Sequence, residues 1–429
     1  LSKTLPVIRD FDNRTYIKED AGKILVGIFE SQSIPAWDKI NKVPEDFSFG
    51  EFQENFEHFE PYLATAIKRF PVLETAGIRK FFSGPESFTP DTNTLLGEVP
   101  EIKNFFVCCG LNSIGIGSGG GVGKVTAEWL INGHINEDIF CYDIKRFQKF
   151  HSDLSFIKKR ITESLGDLYG MHWPFKQHKT SRNIKTLPYH NELKSFGACF
   201  GVSGGYERPM WFALDGEKTE YEYSYNYQNW YPSAEYETNN TVKNVGLFDL
   251  TPFSKFEIKS DKAHKELQKI CTSNIKNEVG KCIYTHMLNP DGGIETDLTV
   301  VCIEKDHFRI ISSAATRERD KFHINKHLTK DVELKDVTDD YCVFGVFGPK
   351  SRALMKSISK DNFENDNFRF STAKYITIEG IKIWTQRLSY VGELGYELYV
   401  KSKDAKKIYE LLIDKGKDFN LSNCGMHAM

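Results

Sequence analysis

The sequence predicts a multidomain α+β protein, and three observations carry that expectation. At 429 residues the chain exceeds what one ordinary core organises. Its first third alternates apolar strand-like runs with helical spacing, and from about residue 240 the pattern changes to hairpin-linked strands with interspersed helices. Its composition, 40% hydrophobic and 27% charged with both signs interspersed, is that of a folded globular chain rather than a disordered one.

The same bulk properties exclude several classes. A net charge of −3 supplies no basic field for nucleic acid. No apolar run reaches the roughly 20 residues of a membrane span, and no signal-peptide pattern opens the chain. Nine cysteines, at 108, 109, 141, 199, 271, 282, 302, 342 and 424, form no CxxC pair. An odd number set mostly in apolar runs, such as Cys302 and Cys342, reads as reduced core thiols, and no metal site is expected. The chain opens at Leu1 and stops at Met429 in a segment that still reads as structured, which suggests a fragment.

Residues 1–140 contain the strand runs Ile24–Phe29 and Phe105–Cys109, both expected to be buried. Between them Phe52, Phe56, Phe59, Leu63, Ala66 and Phe70 recur at helical spacing, with Pro61 at a kink or restart. Residues 141–235 are aromatic and turn-rich with weak periodicity, and read as a connector packed between neighbours. Residues 236–429 read as α+β. Strands are expected at 245–248, 256–258, 298–303, 308–311 and near Ile376 and Ile383, with helices at 263–270 and around Ala353 and Leu354. Asn289-Pro290-Asp291-Gly292-Gly293 marks a hairpin turn.

Gly117-Ser118-Gly119-Gly120-Gly121-Val122-Gly123 lies between the strand ending at Cys109 and a helix expected over Val125–Leu130. Glycines there permit close approach, and the free amides of a following helix favour negative charge. The run is neither GxGxxG nor a phosphate loop, so alone it also fits a tight packing turn. Upstream stand Gly84-Pro85-Glu86-Ser87-Phe88-Thr89-Pro90-Asp91 and Gly110-Leu111-Asn112-Ser113; downstream stands Tyr142-Asp143-Ile144-Lys145-Arg146-Phe147. Together these resemble the C-terminal part of the glycine/D-amino-acid oxidase-like flavoprotein fold. The resemblance implies FAD contacts from Pro90, Asp91, Asn112, Ser113, Gly117, Gly119, Gly120, Gly121 and Gly123, with the helix start facing the ring edge that becomes anionic on reduction. The family's dinucleotide fingerprint precedes the matched part.

Val245-Gly246-Leu247-Phe248-Asp249-Leu250, Met287-Leu288-Asn289 to Val300, Gly348-Pro349-Lys350-Ser351-Arg352 and Leu388-Ser389-Tyr390-Val391-Gly392-Glu393-Leu394-Gly395-Tyr396-Glu397-Leu398 resemble, in order, the glycine-cleavage T-protein (aminomethyltransferase) domain. The bridge Gly205-Tyr206-Glu207-Arg208-Pro209-Met210-Trp211-Phe212 resembles that of the sarcosine/dimethylglycine dehydrogenase family. This resemblance implies a T-protein-like folate-binding domain, truncated at its C-terminus, that takes tetrahydrofolate. It places Asp297 as the catalytic carboxylate beside the reacting folate nitrogens and Glu397 at the pterin edge, with Tyr390 and Glu393 nearby. Each has a plainer reading: Asp297 as a solvent-facing strand residue, Glu393 as a turn residue, Tyr390 as core. Glu295 and Thr296 read as outward-facing, and His286 as a packed strand histidine.

The function the resemblance implies is FAD-dependent oxidation of an N-methylglycine, sarcosine or dimethylglycine, with the carbon passed to tetrahydrofolate. The implied partners are a small methylamine substrate and an electron acceptor, either an electron-transfer flavoprotein or oxygen. A bacterial cytoplasm and a mitochondrial matrix fit equally. The alternative is a non-catalytic regulatory subunit on the same scaffold, like that of pyruvate dehydrogenase phosphatase.

Overall fold

A computed structural model describes residues 5–429 of the chain. The N-terminal third is a set of small pieces. Strands β1 (Ile8–Asp10), β2 (Thr15–Asp20) and β3 (Lys23–Ile28) form an antiparallel meander, followed by helix α1 (Phe56–Arg69). Strands β4 (Leu95–Glu98) and β5 (Phe106–Cys109) pair antiparallel and lead into α2 (Gly115–Asn132).

Several local expectations change here. The two N-terminal runs are strands but not buried ones: β3 is half-exposed with Ile24 on the surface, and Cys108 and Cys109 are exposed. Among residues 5–132 the buried apolar side chains are Ile17, Ala66, Leu96 and Trp129, too few to cover both faces of these strands. Cys141 is exposed too, so the core-thiol reading fits the other six cysteines only. Helix α1 starts at Phe56 behind an Asn55 cap and runs unbroken through Pro61; Phe52 and Phe70 lie outside it. The glycine run is not a turn. Ser118 already donates to the Ile114 carbonyl at 2.9 Å, so Gly117 to Gly123 form the first turns of α2 itself. Glycine's low helix propensity pointed the other way, and backbone bonding onto the strong helix formers downstream overrides it.

The segment expected as connector is also more regular than its periodicity suggested. It holds α3 (Leu154–Asp167), α4 (His190–Ser195), the hairpin β6 (Ala198–Ser203)–β7 (Tyr206–Phe212) and the start of α5 (Tyr231–Lys243). β7 is buried on both faces, which removes the period-2 signal.

The remainder is built on two facing sheets. Strands β8 (Val245–Asp249) and β9 (Ser254–Lys259) precede α6 (Ala263–Ile270), then come β10 (Cys282–Leu288), β11 (Ile294–Glu304) and β12 (His307–Ser312). Helix α7 (Arg317–His327), β13 (Leu334–Asp336), β14 (Tyr341–Phe347) and α8 (Ser351–Ile358) follow. Then β15 (Ala373–Ile378), β16 (Ile381–Gln386), β17 (Gly395–Lys401), α9 (Ala405–Gly416) and β18 (Leu421–Cys424) end the chain. One sheet has strand order β10-β11-β12-β9-β13; the other has β15-β16-β17-β14-β8-β18, with β18 parallel to β8.

Three cores hold these layers. Phe256, Ile258, Leu267, Leu298, Val300, Phe308 and Ile324 pack α6 and α7 onto the five-stranded sheet. Phe344, Leu398, Val400, Leu354, Ile408 and Leu412 pack α8 and α9 onto the six-stranded one, and Leu187, Tyr189, Ala198 and Phe212 join that core. Between the sheets lie Phe248, Cys282, Val301, Val343, Phe347, Trp384 and Tyr399. The strand and helix positions expected over 245–383 are all occupied by elements of the expected type. Thr296 is the exception in facing: it shares the buried face with Leu298, as alternation requires, and only Glu295 and Asp297 lie on the other.

Candidate functional site

The first candidate group surrounds the start of α2, and hydrogen bonds bring its three sequence motifs together. Asn112, buried and left-handed at φ 49°, accepts the Thr89 amide at 2.8 Å and donates to the Gly110 carbonyl at 2.5 Å. Arg146, from the Tyr142–Phe147 motif, forks onto Asp91: Nε to Oδ2 at 2.6 Å and Nη2 to Oδ1 at 2.9 Å. The Pro90 carbonyl accepts the Ser164 hydroxyl at 2.6 Å. Asp91 therefore organises the loop around Arg146. Ser113, also left-handed at φ 64°, donates to the exposed Glu86 carboxylate at 2.8 Å.

This scaffold delivers the chain to α2 with Ile114 at the cap position, making no side-chain cap bond, and no acidic side chain in the first turn. The unpaired amides and the positive dipole end are thus left free. A Cβ built on Gly117, Gly119, Gly120, Gly121 or Gly123 meets nothing within 4 Å. The first turns of α2 therefore present bare backbone, a surface that admits a planar ring edge carrying negative charge. The residues present fit FAD in that respect.

The second group lies on the exposed face of the β10–β11 hairpin. Asp297 is exposed and accepts the Tyr284 phenol at 3.0 Å. His286 is the cross-strand partner of Asp297, half-exposed, with its ring edge-on to Tyr284 at 5.3 Å. Partial burial and then the Asp297 carboxylate push the Tyr284 phenol up, so it stays a donor at neutral pH. Tyr284 was missed from the sequence, although alternation from Asp297's partner His286 places it on the same face.

Glu397 comes from the other sheet. It is half-buried on β17 and accepts the Tyr399 phenol at 3.1 Å. Burial pushes its carboxyl up to about 7, because the single hydrogen bond does not offset the desolvation of the ionised form. Glu393 sits half-buried in the turn between β16 and β17. Tyr390 is not core: it is 62% exposed, its ring 6.0 Å from Phe253. These positions share no hydrogen bond with Asp297; the two carboxylates stand on facing sheets.

Beneath this region lies a buried polar layer that sequence reasoning did not single out. Arg208, from the bridge motif, donates from Nε to the Asp249 carbonyl at 3.2 Å. The Asp249 carboxyl accepts the Tyr189 phenol at 3.2 Å and the Thr251 amide at 3.1 Å. Burial raises Asp249 above its usual range. Fully buried Lys255 donates to the Thr251 and Phe253 carbonyls at 2.8 and 2.7 Å, and burial pushes its amine down to about 7.

Glu163, Asp167 and His178 form an incipient cation cluster, but Glu163 accepts the Lys179 and Thr180 amides at 2.6 and 2.8 Å, and Lys176 pairs with Asp167 at 2.7 Å. Those oxygens are already committed.

Comparison with known proteins finds three family matches along the chain. Residues 1–129 match the FAD dependent oxidoreductase family, 132–186 the FAD dependent oxidoreductase central domain, and 189–429 the GCVT N-terminal domain. The chain is 38% identical over 426 residues to a 4-methylaminobutanoate oxidase (formaldehyde-forming) of Paenarthrobacter nicotinovorans, covering 99% of this chain and 51% of that protein. It is 31% identical to the mitochondrial sarcosine dehydrogenase of Homo sapiens, covering 100% of this chain and 50% of the relative. It is also 31% identical to the mitochondrial pyruvate dehydrogenase phosphatase regulatory subunit of Mus musculus, covering 100% and 49%. The chain thus spans about half the length of the curated relatives it matches. With the GCVT N-terminal domain covering more than half of it, behind both FAD dependent oxidoreductase matches, the chain belongs to the sarcosine/dimethylglycine dehydrogenase family.

Proposed function

We propose that the protein to which this chain belongs is an FAD-dependent oxidoreductase that demethylates a carboxylate-bearing N-methylamine and passes the carbon to tetrahydrofolate. The flavin side lies in residues 1–140 and the folate side in 236–429, joined through 141–235. The observation that carries the reading is the exposed Tyr284–Asp297 pair, displayed on the β10–β11 hairpin behind a portion that matches the FAD dependent oxidoreductase family.

Bound flavin would supply the hydride acceptor. Loss of hydride from the N-methyl group leaves an iminium, which water converts to formaldehyde and free amine. Bound tetrahydrofolate would supply a ring nitrogen and a bridging nitrogen for the same carbon, so that two new C–N bonds would replace those to the amine. Each folate nitrogen would shed a proton and the departing amine would gain one. Asp297, open to solvent and held by one donor, would take a proton from the folate side and return one to the amine. The bare start of α2, with Gly117 to Gly123, Asn112 and Ser113 around it, would face the flavin; Pro90 and Asp91 fix that loop. Glu397 would accept the donor edge of the pterin, with Tyr390 and Glu393 at its rim.

Sarcosine and dimethylglycine are the substrates proposed first, and the similarity to a 4-methylaminobutanoate oxidase adds that longer N-methyl amino acid to the panel. The test is the flavin absorbance of the complete protein during anaerobic addition of each amine. Bleaching by one of them is expected, and tetrahydrofolate should divert free formaldehyde into methylenetetrahydrofolate. A stable preparation that carries no flavin and responds to none of the three amines would overturn this reading in favour of a non-catalytic regulatory subunit.

A further inference from the structure

We infer that Gln386 is a pterin-reading residue, the donor that recognises the 4-carbonyl of the ring whose N–H edge meets Glu397. The inference rests on the folate reading above and adds to the specificity that Glu397 gives that site.

Gln386 ends β16 directly opposite Glu397 on β17. Directly opposed residues of an antiparallel pair project on one face of the sheet, with Cβ atoms about 5 Å apart. On the other side of Glu397 the opposed residue of β14 is Gly345, which contributes no side chain to that face. Gln386 and Glu397 are therefore the adjacent polar groups of this row.

The Gln386 side chain is fully buried, and its Nε2 has no hydrogen-bond partner among the described residues. Its Oε1 faces the Cys282 sulfur at 4.0 Å. Burial pushes that thiol up, so it remains a protonated, weak donor to the amide oxygen. Glu397 is likewise half-satisfied, with the Tyr399 phenol on one oxygen. Buried amide donors in folded proteins are usually bonded, so an open one beside a half-satisfied carboxylate leaves room for a ligand to complete both.

The pair presents a donor beside an acceptor. The pyrimidine edge of a pterin presents a carbonyl at position 4, an N–H at position 3 and an amino group at position 2. An ionised Glu397 accepts from the last two, and an adjacent Gln386 Nε2 donates to the first. Glu397 already favours the 4-oxo ring, whose N3 carries a proton, over the 4-amino ring, whose N3 is an acceptor; the amide adds to that discrimination, because a 4-amino group would set two donors against each other.

The test compares binding of folic acid and aminopterin, which differ at position 4, to the complete protein by fluorescence quenching. The wild type should prefer folic acid. Gln386→Leu should lose about tenfold or more for folic acid and much less for aminopterin, compressing the ratio. Gln386→Glu, close in shape, places an acceptor there and should shift the ratio towards aminopterin even if the leucine variant folds poorly. Unchanged ratios in the folded variants would overturn the role of Gln386 while leaving the folate reading intact. A wild type that binds neither compound would overturn both.

Discussion

The Tyr284 phenol donates to the Asp297 carboxylate at 3.0 Å, from one strand of the hairpin to the next, and both groups face solvent. That contact fixes a carboxylate on a strand pair rather than on a mobile loop. It leaves one carboxylate oxygen for whatever approaches.

Asp297→Ala in the complete protein should abolish most methylenetetrahydrofolate formation while amine-dependent flavin bleaching continues and free formaldehyde accumulates. Tyr284→Phe should act in the same direction but less, about fivefold, as expected for losing one hydrogen bond to a charged group at an exposed site. Product analysis with and without tetrahydrofolate checks both. Equal loss of both activities would contradict the division of labour between the two halves.

Glu397 gives a pH dependence with a defined sign. Burial holds its carboxyl at about 7, above the 4.5 of an unfolded chain. Ionisation thus opposes folding: the penalty is absent below 4.5, grows as pH rises, and is complete above about 7. Glu397→Gln should raise the Tm relative to wild type increasingly between pH 5 and 8, about these limits. The same variant should flatten the rise in pterin affinity that the wild type shows as pH increases through 7.

Gly119→Ala and Gly121→Ala separate helix stability from ligand approach. Each added methyl meets nothing within 4 Å, and each change inside α2 should stabilise the helix by about 0.5–1 kcal/mol. If the glycine face meets FAD, the doubly substituted protein melts higher as apoprotein yet retains less flavin. Flavin content and apoprotein Tm read the two effects independently.

Glu207 on β7 is buried and accepts Arg182 through Nε at 2.9 Å and through Nη2, together with the Asn183 amide at 2.7 Å. Burial pushes its carboxyl up, but the Arg182 and Asn183 bonds outweigh this and hold it below the usual range. Glu207→Ala takes the carboxylate from a half-buried guanidinium that keeps the His178 and Phe200 carbonyls, and should cost about 1.5–3 kcal/mol, read as a lower denaturation midpoint. Because the folded value is depressed, the wild-type contribution is present above the ordinary carboxylate range and is lost as pH falls through the folded value. The gap between wild type and variant should narrow in acid.

By itself the sequence determined the elements whose signals are local. The hairpin at Asn289–Gly293, the helix Ala263–Ile270 and the strands flanking them follow from turn chemistry and periodicity within a few residues. Ordered motifs likewise carried the family. Only the tertiary structure decided the rest, because burial and pairing depend on residues far apart in the chain. β3 and β5 are strands left uncovered, and β7 is a strand buried on both faces; the local pattern does not tell these apart. Asp91 is claimed by Arg146, 55 residues on. Tyr284 joins Asp297 only once the hairpin registers them. Gln386 was invisible in the sequence: only β16 pairing with β17 sets its amide against Glu397 and leaves the amide nitrogen without a partner among the described residues.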